Sequence, residues 1–205
     1  VRIGIDFDNT IAAYDHVFLA VARQWLLLPE GFQGGKKAVR DAIRNGPGGE
    51  RQWQRLQGYV YGKQMQRATL FPGVGDFLQQ CREQQIPVYI ISHKTAIAHF
   101  DQDRTNLRHA AWAWMEAKGF FREAGFAIDP SNVSFHDNRG EKLNKVKQSG
   151  CDVFIDDLEE IFLDPDFPPS VNRILFAPGD DAPQNKLFRV FSSWRDISNE
   201  LFGCR

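Results

Sequence analysis

Short runs rich in apolar and β-branched residues recur along this chain: RIGIDF (2–7), PVYIIS (87–92), DVFIDD (152–157) and RILFAP (173–178), with NVSFHD (132–137) as a fifth candidate. Each is brief, and the stretches between them carry helical spacing. The alternation predicts parallel strands in a doubly wound, Rossmann-like α/β sheet. In such a sheet, ligands sit beyond the carboxyl ends of the strands. Three of the runs end in reactive polar groups: Asp6 and Asp8, Ser92, and Asp156 with Asp157. Acids at the end of a buried strand are costly unless solvent or a cation meets them. The coincidence therefore predicts one site.

The remaining chain must wrap that sheet and does so with material to spare. Its 205 residues, 42% hydrophobic and 25% charged, suit one sizeable domain or a domain with a smaller insertion. A net charge of -1 gives no overall reason to expect a polyanion partner or a membrane surface. The most apolar stretch, FLAVARQWLLLP (18–29), is interrupted by Arg23 and Gln24 and falls short of a membrane span. Cys81, Cys151 and Cys204 lie far apart with no C-x-x-C pair, which argues against a zinc site or disulfide framework and favours a reducing cytoplasm. No secretory leader is expected, because the sequence enters a strand-like segment at once; the absent initiator Met leaves room for processing or trimming.

About eighty residues separate the first two strand runs, too many for one crossover helix. They contain three helical patterns, HVFLAVARQWLL (16–27), KKAVRDAIR (36–44) and ERQWQRLQGYVYGKQMQR (50–67), divided by Gly-rich breaks at FQGG and NGPGG. Residues 14–69 are expected to form an inserted helical cap, with 1–13 and 70–205 as the core.

Asp6 and Asp8 are two residues apart, so strand geometry would project both to one side and Phe7 to the other. One carboxylate could attack while its neighbour handles protons. Here the sequence resembles the haloacid dehalogenase-like (HAD) hydrolase superfamily. That family's first motif, D-x-D-x-T, reads DFDNT from Asp6 to Thr10; its second, an apolar strand ending in Ser or Thr, matches VYIIS ending at Ser92. Its third is a lysine near a helix start, and its fourth, an apolar strand ending in paired acids, matches FIDD. The four occur in the expected order along the whole chain.

The resemblance implies a phosphatase of the DxDxT type with a helical first-type cap. Asp6 would be the nucleophile that forms an aspartyl-phosphate, and Asp8 the acid and base. Ser92 and the amides after it would hold the phosphoryl oxygens, with Thr10 and His93 beside them. Mg²⁺ would be held by Asp6, the Asp8 backbone carbonyl and Asp157, with Asp156 bound directly or through water. EKLNKVKQSG offers Lys142, Lys145 and Lys147 as the third-motif lysine. Lys142 opens the helix and is the first choice, with Lys145 next on the same face and Lys147 pointing elsewhere.

Plainer roles stand beside these. The two acids of DFDNT could be turn or N-cap residues, Ser92 a loop hydroxyl, and Lys142 part of a solvated helix face. His93 and Lys94 of SHKT could touch substrate or be exposed. Residues 31–70 carry an excess of six positive charges, which would attract anions or be a solvated surface; Trp53, Tyr59 and Tyr61 could stack on a base or merely pack the cap.

The function expected is Mg²⁺-dependent hydrolysis of a small phosphomonoester, a sugar phosphate or nucleotide. The acid at Asp8 separates it from the dehalogenases that the family resemblance also includes. A phosphomutase would share all four motifs, and nucleic-acid end processing by a basic cap is the alternative with a different partner. A small phosphorylated substrate is the expected partner in preference to nucleic acid, and no membrane partner is expected.

Overall fold

The computed structural model describes residues 1–98, 100–179 and 185–203, so Cys204 lies outside the described residues. The chain runs β1 (Ile3–Ile5), β2 (Ala12–Ala13), α1 (Asp15–Gln24), α2 (Lys36–Arg44), α3 (Gly49–Tyr61), β3 (Thr69–Leu70), α4 (Val74–Glu83) and β4 (Val88–His93). It continues through α5 (Leu107–Ala117), β5 (Val133–His136), α6 (Arg139–Ser149), β6 (Val153–Asp156), α7 (Glu159–Phe162), β7 (Asn172–Phe176), β8 (Arg189–Phe191) and α8 (Trp194–Phe202).

Six strands form one sheet in the order β5-β4-β1-β6-β7-β8, and every neighbouring pair is parallel. All five strand runs read from the sequence are in it. The sixth, β8, has only three residues and begins with a charged one, so it carries too little apolar pattern to be recognised in advance. From β1 the chain order runs outward through β4 and β5 on one side and through β6, β7 and β8 on the other. The order therefore reverses at β1, the position where sheets of this kind place their ligands.

Register brings the strand ends level. Ile5 pairs with Ile90 on one side and Ile155 on the other, so Asp6, Ser92 and Asp156 emerge along one edge. Gly4 is required for that fit: a Cβ there would lie 2.6 Å from the Phe154 ring and 2.9 Å from Cys151 Sγ.

The structure divides into two compact units. The first comprises Val1–Ala12, Leu70–Lys94 and Glu116–Arg205, and contains the sheet. Among its buried residues are Phe154, Phe162, Phe167 and Leu175. The second comprises Ala13–Thr69 together with Thr95–Met115. Its interior is aromatic: Phe18 stacks on Trp53 at 5.1 Å, and Tyr14 meets Tyr61 edge-on at 4.8 Å. The sequence boundary of 14–69 omits Thr95–Met115 from this unit. The buried Trp114 explains the addition, since its indole N–H donates to the Ala68 carbonyl at 3.0 Å. Periodicity along α5 identifies a helix but cannot say what the helix packs against.

Among the described residues, no helix is long and apolar enough to cross a membrane. Cys81 and Cys151 are buried free thiols; burial pushes Cys81 up to about 12.

Candidate active site

The turn after β1 is set by DFDNT itself. Asn9 takes a left-handed conformation (φ 62°), which asparagine tolerates better than most residues, and the Ile11 and Ala12 amides both donate to the Phe7 carbonyl. The turn buries Thr10, whose carbonyl accepts from the Trp194 indole at 3.0 Å and whose hydroxyl donates to Asp157 Oδ1 at 3.3 Å. Asp6 is 5% exposed at the strand tip.

Lys142 reaches the site because α6 starts where it does. Asn138 caps the helix by accepting from the Glu141 amide at 2.9 Å, and the Glu141 carboxylate returns to the Asp137 amide at 3.1 Å. One turn in, Lys142 is only 1% exposed, and its ammonium donates to Asp6 Oδ1 at 2.6 Å and Asp156 Oδ2 at 2.5 Å. Lys145 is half-buried and Lys147 exposed. Asp156 is fully buried and also accepts from the Leu158 amide at 2.9 Å.

Ligand oxygens of Asp6, Asp156 and Asp157 lie within 4.8 Å of one another. One buried ammonium thus serves two carboxylates, with a third beside them. The excess negative charge has a visible consequence. Burial pushes Asp6 up to about 7; Lys142 acts against this, but Asp156 and Asp8 reinforce it. Burial alone would lower Lys142, yet Asp156 and Asp6 hold its ammonium above the usual range. Both shifts have one cause, more acid than base in a dry place. A hard divalent cation with oxygen preference fits such a donor set.

Ser92 is 1% exposed, and its hydroxyl has no hydrogen-bond partner among the described residues. A buried hydroxyl without a partner costs free energy and is ready for a ligand. The Asp8 carboxylate lies outside the acid cluster and accepts from Lys94 at 2.7 and 2.9 Å. His93 is exposed, with its ring Nε2 3.0 Å from the Asp137 carbonyl. Strand alternation explains the contrast: Ser92 and Lys94 share one side and His93 takes the other. That period-two rule, applied from Ser92 onward, was the available signal for Lys94.

In the second unit, several of the basic residues are committed locally. Arg40 pairs with Asp41, Arg44 with Glu50, and Lys63 with Asp101 and Asp103. Trp53 and Tyr61 belong to the interior, whereas Tyr59, Arg51 and Arg55 line a cavity of about 890 Å³ within that unit.

With this geometry in view, solved structures supply the fold class. No protein-family model matches the chain, and no curated protein matches it. Among solved structures, the protein tyrosine kinase A (PtkA) of Mycobacterium tuberculosis superposes with a TM-score of 0.63 at 12% identity, covering 98% of both chains. The haloacid dehalogenase-like hydrolase SP0104 of Streptococcus pneumoniae gives 0.60 at 13% identity, covering 98% of this chain and 97% of that one. The HAD hydrolase YfnB of Bacillus subtilis, crystallised with magnesium bound, gives 0.58 at 12% identity and 98% coverage of both. The fold is that of the HAD-superfamily hydrolases. At such identities the likeness speaks for architecture, and a kinase among the neighbours shows that one fold hosts several chemistries.

Proposed function

We propose that this protein is a Mg²⁺-dependent phosphatase of the HAD superfamily, acting on a small phosphomonoester through an aspartyl-phosphate. The observation that carries the reading is the convergence of Asp6, Asp156 and Asp157, with ligand oxygens within 4.8 Å of one another around a single ammonium. The magnesium bound in YfnB supports the choice of ion.

Asp6, Asp157, Asp156 and the Asp8 backbone carbonyl would hold the ion. When bound, Mg²⁺ supplies positive charge that lets a carboxylate approach an anionic phosphate. Every other role belongs to the chain. Asp6 attacks phosphorus, so that an Asp6 Oδ–P bond forms as the bond from phosphorus to the leaving oxygen breaks. Asp8 gives its proton to that oxygen. In the second half, a water oxygen bonds phosphorus, the Asp6 Oδ–P bond breaks, and Asp8 takes the proton of that water. The Ser92 hydroxyl donates to a phosphoryl oxygen, which meets its need for a partner. Lys142 orients Asp6 and offsets the charge that builds there. Thr10 steadies Asp157 through its hydroxyl.

An acid at position 8 favours ester hydrolysis over dehalogenation, which has no leaving oxygen to protonate. The helical second unit is read as a first-type cap, suited to a small substrate. The test is phosphate release from a panel of sugar phosphates and nucleotides with Mg²⁺, and its loss with EDTA. Release that is indifferent to EDTA, or absent from every ester, would overturn the proposal.

A further inference from the structure

Lys94 is 3% exposed, yet its ammonium has no place in the chemistry above. It donates to both carboxylate oxygens of Asp8, at 2.7 and 2.9 Å, and stands 5.6 Å from the centre of the Phe7 ring. Its amide is tied to the His136 carbonyl at 2.9 Å, which fixes the backbone from which the side chain extends. The two acids of DFDNT therefore have separate ammonium partners. Lys142, from α6, takes Asp6 together with Asp156; Lys94, at the end of β4, takes Asp8.

A buried ion pair is a weak source of stability, because desolvating both charges offsets their attraction. It is a strong source of orientation. An ammonium donating to both oxygens restricts the rotation of a short carboxylate and so fixes where each oxygen points. Proton transfer to a leaving oxygen depends on such placement, since donor and acceptor must come within hydrogen-bond reach. We propose that Lys94 is a positioning residue for Asp8, aiming its carboxylate at the leaving oxygen and then at the attacking water. The proposal rests on the phosphatase reading and adds a residue to it.

The test compares wild type, Lys94→Met, Asp8→Asn and the double variant on p-nitrophenyl phosphate and glycerol 2-phosphate with Mg²⁺. An aryl leaving group needs little protonation and an alkoxide needs much. Lys94→Met is expected to lower kcat by about 100-fold on the alkyl ester and by less than about 10-fold on the aryl ester, with KM little changed. In the Asp8→Asn background the same substitution should cost less than about two-fold on the aryl ester, because a residue acting through Asp8 has nothing left to position. The double variant removes both charges, so it keeps the comparison usable even if Lys94→Met alone folds poorly.

Equal losses on the two esters, a raised KM with unchanged kcat, or a full additional loss on top of Asp8→Asn would each overturn the proposal. The KM result would instead make Lys94 a phosphoryl ligand. A wild type that hydrolyses neither ester, or an Asp6→Asn variant that retains turnover, removes the phosphatase reading and this inference together. Normal wild-type turnover, an inactive Asp6→Asn and a Lys94→Met indistinguishable from wild type remove this inference alone.

Discussion

Lys142 Nζ lies 2.6 Å from Asp6 Oδ1, although the two residues are 136 positions apart in the sequence and neither is appreciably exposed. The same ammonium lies 2.5 Å from Asp156, so its removal would leave two buried acids facing each other. Lys142→Met should destabilise the metal-free protein by about 3–5 kcal/mol. Thermal unfolding with and without Mg²⁺ checks this, and the ion should recover part of the loss. A variant as stable as wild type would mean the pair is dispensable.

Asp6→Asn should abolish phosphate release while leaving the fold intact. The amide keeps an acceptor for Lys142 and removes one of the crowded negative charges, so metal-free stability near neutral pH should be equal to or above that of wild type. Turnover assays paired with circular dichroism separate loss of chemistry from loss of fold.

The raised Asp6 value gives a pH dependence with a definite sign. In the metal-free folded chain Asp6 keeps its proton up to about 7, against 3.8 for an ordinary aspartate. Between those values the folded state holds more protons than the unfolded one, so the contribution of Asp6 to metal-free stability declines as pH rises. Mg²⁺ must displace that proton, and its stabilising effect should grow over the same range. The rise in Tm with added Mg²⁺ should be larger at about pH 8 than at about pH 5.5. An equal rise at both would remove Asp6 from the ion's ligand set.

Ser92→Ala should separate function from stability in the opposite way to Lys142→Met. The hydroxyl is buried without a partner among the described residues, so removing it should leave Tm unchanged or slightly higher. The specificity constant kcat/KM should fall by about 10-fold or more, as one donor to the phosphoryl group is lost.

Gly4→Ala tests the close passage of β1 against β6. The added methyl would meet the Phe154 ring at 2.6 Å and should cost about 1–3 kcal/mol, read as a lower Tm. No change would mean that the strands can part without penalty.

Much of the architecture could be read in one dimension. Periodicity and β-branching marked five of the six strands of the parallel sheet, because a buried parallel strand must be apolar on both faces and short. It missed β8, whose brief, half-exposed Arg-Val-Phe run has almost no pattern to read. The unit boundaries were legible only in part: α5 has helical spacing, but Trp114 finds its hydrogen bond on a carbonyl distant in sequence.

The site divides along the same line. Residue order alone marked Asp6, Asp8, Ser92, Asp156 and Asp157, since acids and hydroxyls at the tips of apolar strands are chemically out of place. Which lysine meets which acid could not be read there. Lys142 and Lys145 lie on the same helical face, and the Asn138 cap just before α6 sets the helix start that points the first of them at Asp6 and Asp156. His93 and Lys94 are neighbours in SHKT, yet one turns to the Asp137 carbonyl and the other to Asp8. Composition and spacing establish that charged groups are available. Their pairing is a three-dimensional property, because the Coulomb attraction between buried charges depends on distances created only when strands from remote parts of the chain come into register.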